Sequence, residues 1–145
     1  MSTIRTRPAD VTDADAVFLL LQGFATSYHP RRAAFDRNYE QLLSVMTYDS
    51  TDLLVAEDDG KVIGYALAAR FLVLYANGPV TELQELMVDP AQRGRGVGRA
   101  LVNAIIERAR AAGAVEVTVP TRRARDYYVK LGFAETATFL KLPLS

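Results

Sequence analysis

The run from Thr81 to Arg99, TELQELMVDPAQRGRGVGR, constrains this chain more than any other stretch. It begins inside a strand-like segment, Val80–Val88, and breaks at Asp89-Pro90. It then passes through Arg93-Gly94-Arg95-Gly96-Val97-Gly98-Arg99 and opens into a segment with apolar residues at Val97, Leu101, Ala104, Ile105, Ala109 and Ala112. That last spacing is helical. A strand that turns through glycines into a helix presents the unpaired amides of the first helical turn to whatever lies above them. Glycines at alternate positions let the backbone approach a ligand closely. The helix dipole favours an anion at that end, and Arg93, Arg95 and Arg99 add positive charge. The stretch therefore predicts a strand-loop-helix unit and a ligand that carries phosphate.

Two common phosphate ligands fit poorly. A dinucleotide loop has Gly-x-Gly-x-x-Gly with an acidic residue about 20 positions on, and a triphosphate loop has Gly-Lys-Ser/Thr. Here the spacing is Gly-x-Gly-x-Gly, no acidic residue ends the next strand, and no Gly-Lys-Ser/Thr follows. Charge narrows the field further. Seventeen basic and seventeen acidic residues cancel over 145 positions, so nothing in the net charge calls for nucleic acid or an anionic membrane. The chain has no cysteine and one histidine, His29, which argues against a metal site. Its first residues are polar, and its apolar runs fall short of the ~20 residues of a membrane span. The expectation is a cytoplasmic protein of one domain, residues 1–145, with half its residues hydrophobic and a real core.

Ile4–Pro8 alternates and reads as a first strand. Thr12–Asp15 reads as a capping box for a helix through Val17, Leu20, Leu21 and Phe24. A second helix is predicted from about Arg32 to Tyr48, with Phe35, Tyr39, Leu42, Leu43 and Met46 on one face. Leu53–Glu57, a turn at Asp58-Asp59-Gly60-Lys61, and Val62–Leu74 form a hairpin. A turn at Ala76–Pro79 leads into the Val80–Val88 strand. After the long helix and Gly113 come a short strand, Val115–Val119, a helix over Arg123–Leu131, and a last strand over Phe133–Leu142. Hairpins first and strand-helix alternation later imply one mixed sheet with helices on its faces.

Arg93, Gly96 and Gly98, preceded by Leu86, Val88 and Pro90, resemble the acetyl-CoA signature of the GNAT acetyltransferase superfamily, Arg/Gln-x-x-Gly-x-Gly/Ala. Tyr128-Val129-Lys130-Leu131-Gly132-Phe133 looks like that family's Tyr-x-x-x-Gly-Phe run. The two motifs lie about 30 residues apart, and together with the element order the resemblance covers roughly Leu53 to Phe133. It implies an α/β fold of GNAT type, a mixed, mostly antiparallel sheet of about six to seven strands with four helices on its faces. It also implies transfer of acetyl from acetyl-CoA to a primary amine, with no metal, and it leaves room for a homodimer.

The same resemblance assigns candidate residues. Gly94 to Arg99 and Arg93 would hold the pyrophosphate, Val97 among them through its amide. Main-chain groups of Leu86, Met87 and Val88 would polarise the acetyl carbonyl. Glu82, fourteen residues before Gly96, is the first choice for the base that deprotonates the amine, and Glu85 is the second. Each also reads as a solvent-face charge. Tyr128 would contact the leaving thiol and protonate it, its phenol having an ordinary pKa near 10; Tyr127 replaces it if the helix is shifted by one. Thr121 stands where many family members have an asparagine that touches the pantetheine. Arg122, Arg123 and Arg125 flank the expected groove, and Tyr28, His29 and Tyr39 lie in the region that builds the acceptor pocket. A module that binds acyl-CoA without transferring it is the alternative reading.

Overall fold

A computed structural model of the chain describes residues 3–24, 28–46 and 50–144. It is built around a long hairpin. β3 (Lys61–Val73) and β4 (Gly78–Val88) run antiparallel, matched from Gly64 against Val88 to Val73 against Gly78. β2 (Thr51–Asp58) pairs with the other side of β3 through a two-residue turn, Asp59-Gly60, whose φ values are 52° and 79°. Two positive φ values in a two-residue loop match the twist of the strands they join. β1 (Ile4–Pro8) pairs antiparallel with β2, and β5 (Glu116–Thr118) runs parallel to β4. The strands lie in chain order, β1-β2-β3-β4-β5.

Four helices cover this sheet: α1 (Ala14–Leu21), α2 (Arg32–Val45), α3 (Val97–Ala111) and α4 (Arg125–Lys130). The strands β2 and β3 are apolar on both faces because both faces are covered. On one face Leu54, Ala56, Ile63, Ala66 and Ala68 pack with α3 and with Tyr128 of α4. On the other, Leu53, Val55, Tyr65 and Leu67 pack with Val17 of α1 and Tyr39 of α2. The far end of α3 is tied down electrostatically. Buried Asp52 on β2 accepts from Arg70 Nη2 on β3 at 2.9 Å and from Arg108 Nε on α3 at 2.7 Å. None of the helices among the described residues is long and apolar enough to cross a membrane.

The sheet has five strands among the described residues, fewer than the six to seven expected. The shortfall lies at the C-terminus, where Phe133–Leu142 forms no strand. Phe133 still packs edge-on against Tyr128, ring centroids 5.6 Å apart. Beyond it Phe139, Leu140 and Leu142 stand exposed. A strand needs a partner edge of its own length, and β5 offers only three residues before Pro120 stops it. The first cap also differs. Asp10, not Thr12, opens the first helical turn: its side chain accepts from the Thr12 amide, and the Asp13 carboxylate accepts from the Asp10 amide. Asp13 is held there because Arg7 forks onto both its oxygens at 2.8 and 2.9 Å. Helix α2 ends at Val45, and Tyr48, its expected end, lies outside the described residues.

Candidate active site

β4 carries a bulge that reorganises its side chains. Leu83 pairs with Ala68 and Glu85 with Leu67, so Gln84 is an extra residue with no partner of its own on β3. Side chains alternate faces along a regular strand, and two residues three apart would point to opposite sides. The bulge cancels that. Glu82 sits opposite Ala69 and Glu85 opposite Leu67, and Leu67 belongs to the core under α1 and α2. Both carboxylates therefore face that side. Glu85 Oε1 accepts a hydrogen bond from the Tyr65 hydroxyl at 2.7 Å. Glu82 has no side-chain hydrogen bond or ion pair to a described residue and is half-buried.

The bulge marks the point where the sheet opens. β5 pairs with β4 only at Val80–Glu82, so from Leu83 to Val88 no described strand lies on that side of β4. The Asp89 amide donates to the Ile63 carbonyl at 2.8 Å. Backbone groups alternate sides along an antiparallel strand. The N–H and C=O of Leu86 and Val88 thus point into the gap, and those of Met87 point to β3.

The loop that follows is shaped by two glycines. Asp89 caps a short turn at Pro90–Gln92, and Gly94 and Gly96 take φ values of 83° and 79°, a region that residues with a Cβ avoid. Gly96 is the N-cap of α3 and supplies no side-chain cap. The first amides of α3 are left for an anion. Arg95 is engaged elsewhere: it donates to Gln92 Oε1 at 2.5 Å and to Asp58 Oδ2 at 2.8 Å. Arg93 and Arg99 have no ion pair among the described residues.

The two tyrosines of α4 differ. Tyr128 is buried in the core under α3, and desolvation, aided by Tyr127, pushes its phenol up to about 12. Its hydroxyl makes no hydrogen bond to a described residue and is not among the sealed polar atoms, so it borders open space. Tyr127 is half-exposed and reaches the loop. A Cβ built on Gly98 would stand 2.5 Å from its hydroxyl and 3.8 Å from Leu86 Cδ2. Burial raises the Tyr127 phenol, and Arg99 pulls it back. Thr121 Oγ1 accepts from the Ala124 amide at 3.0 Å, capping the turn into α4, and keeps its own proton to donate.

A cavity of about 200 Å³ lies between the sheet and α1 and α2. Its walls are mostly apolar, with Val17, Leu21, Phe35, Leu42, Leu53 and Leu67 among them; Glu85 and Tyr65 form a polar end, and the exposed Arg31 and Asn38 also line it. Tyr39 also lines it while donating to the Asp10 carbonyl at 2.6 Å. Tyr28 and His29 do not line it. Tyr28 instead accepts from Lys141 Nζ at 3.0 Å. Among the described residues no group of three or more His, Asp or Glu is placed to hold a metal ion. Sequence reasoning missed Tyr65 because its tie to Glu85 is a diagonal cross-strand contact, which appears only once the register is known.

An uncapped helix start below a glycine loop thus lies beside an open strand edge, with carboxylates and phenols flanking it. The chain belongs to the acetyltransferase (GNAT) family, which it matches over residues 15–133. Acetyl-CoA is the co-substrate of that family. The chain is 34% identical over 140 residues to an uncharacterized N-acetyltransferase of Methanocaldococcus jannaschii, matching 92% of this chain and 61% of that protein, so it spans less than two thirds of that relative's length. It is 30% identical over 137 residues to glucosamine 6-phosphate N-acetyltransferase 1 of Oryza sativa subsp. japonica, matching 90% of this chain and 81% of that protein. The structure of AAC(6')-Iy in complex with the bisubstrate analogue CoA-S-monomethyl-acetylneamine superposes with a TM-score of 0.84, at 25% identity over 99% of each chain.

Proposed function

We propose that this chain, acting as one catalytic domain over residues 1–145, moves the acetyl group of acetyl-CoA directly onto a primary amine. The observation that carries this reading is the opening of β4 from Leu83 onward beside the uncapped start of α3. The amides from Gly94 to Arg99 hold the pyrophosphate, with Arg93 and Arg99 close by. The Leu86 and Val88 amides point into the gap and serve as donors to the acetyl oxygen, where charge develops during attack. The amine arrives as an ammonium, so one proton must leave before its lone pair is free. Glu82, on the acceptor side of β4 and without a side-chain partner among the described residues, takes it. The C–N bond then forms as the C–S bond breaks, the Tyr128 phenol protonates the departing thiolate, and the second proton of the attacking nitrogen, acidified by acylation, passes to the resulting phenolate directly or through water, which leaves a neutral amide and restores the phenol. Thr121 donates to the pantetheine. Balanced charge supports an acceptor that is not nucleic acid.

The test is calorimetry with acetyl-CoA. Binding by the native chain and its loss in Gly96→Asp, with the circular dichroism spectrum unchanged, are expected. Asp would meet φ 79° with a side chain and set a negative charge against the phosphate. Unchanged affinity in Gly96→Asp would remove the loop from the site.

The reading includes a homodimer. Leu140, Leu142 and Leu144 stand at alternate positions of the C-terminal segment and are exposed. A second copy packed against these side chains would cover them. Light scattering should give twice the chain mass, reduced to one chain in Leu140→Asp/Leu142→Asp. A monomeric native chain would refute it.

A further inference from the structure

We propose that the cavity under α1 and α2 is the acceptor site, and that it selects a primary amine on a compact apolar body, of about one ring or a five- to six-carbon chain. The proposal rests on the acetyl-transfer reading above and adds the substrate class. Its walls decide that class. A cavity of about 200 Å³ exceeds the roughly 150 Å³ that accommodates benzene in a dry protein cavity, enough for one ring or a short chain. The Leu and Phe side chains along those walls offer nothing to hydroxyl or phosphate groups, which lose their hydration on entering; Arg31 and Asn38 also line the cavity but are exposed to solvent, so they stand at its mouth.

The polar end supplies the other half of the recognition. Glu85 is the one carboxylate on the cavity wall among the described residues. Tyr65, buried at the sheet centre, donates to its Oε1. Burial, and next the charge of Glu85, push the Tyr65 phenol far up, so this donor keeps its proton across the working pH range. That fixes the carboxylate and leaves Oε2 free to accept from an ammonium at the end of an apolar slot. Leu86, the next residue, turns its amide into the gap beside β4. An ammonium on Glu85 thus sits next to the strand position that faces the acetyl group, and Glu82, on the same face, receives the proton. Glu85 is then a specificity-determining residue and Glu82 the base.

This class differs from that of the rice relative, whose name specifies a sugar phosphate. The test compares 2-phenylethylamine, hexylamine and glucosamine 6-phosphate by thiol release from acetyl-CoA. Calorimetry of each amine with the CoA-saturated protein gives binding without turnover. The apolar amines should lead in kcat/KM by about 10²-fold, since the contribution of even one or two methylenes is about 10–200-fold. Ala34→Phe, which fills the cavity from α2, should raise their KM at least about 10-fold and leave acetyl-CoA affinity unchanged. Glu85→Gln, nearly isosteric and safe for the fold, should raise KM and leave the pH profile of kcat in place.

A preference for glucosamine 6-phosphate would overturn the proposal while leaving acetyl transfer intact. So would an unchanged KM for 2-phenylethylamine in both variants. Absence of acetyl-CoA binding would instead overturn the transfer reading. The calorimetric amine titration would then decide the cavity alone: apolar-amine binding lost in Ala34→Phe supports it, and no such binding refutes it.

Discussion

The Tyr127 hydroxyl lies 2.5 Å from the point where a Cβ on Gly98 would stand, and the ring carbon that bears it lies 3.5 Å away. Gly98 is the second residue of α3. Alanine there would gain about 1 kcal/mol of helix propensity, and overpacking against the hydroxyl would cost about 1–3 kcal/mol. The two effects are coupled through one oxygen atom. Gly98→Ala alone should give no gain in denaturant stability. In a Tyr127→Phe background, where only contacts of 3.5 Å and longer remain, the same change should stabilise by about 1 kcal/mol. A double-mutant cycle measures this coupling, and additive effects would show that Tyr127 moves aside freely.

Glu82→Gln removes the proposed proton acceptor and keeps its shape. Loss of a general base typically lowers the rate about 10²–10⁴-fold, so kcat should fall by at least about 10²-fold at neutral pH and the acid limb of its profile should flatten. Glu85→Gln should act mainly on the amine KM. The opposite pattern, with Glu82→Gln silent and kcat lost in Glu85→Gln, would exchange their roles.

Tyr128→Phe keeps the ring against Phe133 and deletes the hydroxyl. Turnover should drop about 10²-fold with acetyl-CoA affinity nearly unchanged, because the loop amides lie elsewhere. Near-native turnover would leave Tyr128 as a packing residue. Its raised pKa also has a thermodynamic signature. A phenol at about 12 in the fold and 10 in the unfolded chain binds its proton more tightly when folded. The stability this contributes is complete below pH 10 and is lost as pH rises from 10 through about 12. Tyr128→Phe should shrink that alkaline loss in melts taken across the window.

Asp13 gives the acid counterpart. The Arg7 hydrogen bonds hold its carboxyl below the usual 3.8, against the opposing effect of burial. A depressed folded pKa contributes stability that is present above 3.8 and disappears as pH falls below it. Asp13→Asn should destabilise at pH 7 by about 2 kcal/mol, the scale of a hydrogen bond to a charged group. The gap from the native chain should narrow below pH 3.8 in acid titrations of denaturant midpoint. A constant gap would mean that packing, and not the charge, holds the first helical turn.

Local chemistry settled the unit at the centre of the fold. Gly94, Gly96, the break at Pro90 and the helical spacing after Val97 are short-range facts, and a strand, a loop and a helix start follow from them without help from the rest of the chain. The hairpin at Asp59-Gly60 was legible for the same reason, since turn chemistry is confined to a few residues. What the sequence could not contain was the pairing register. Regular strand alternation would set Glu82 and Glu85, three apart, on opposite faces; the bulge at Gln84 brings them to one side, and that bulge is set by Leu67 and Ala68 on β3 taking Glu85 and Leu83 as partners. The Tyr65–Glu85 hydrogen bond, the cavity behind it, and the approach of Tyr127 to Gly98 join residues 20 or more positions apart. The missing last strand has the same cause. Phe133–Leu142 alternates well enough to be a strand, but whether an alternating segment becomes one depends on an edge to pair with, and only the tertiary structure shows that β5 is three residues long.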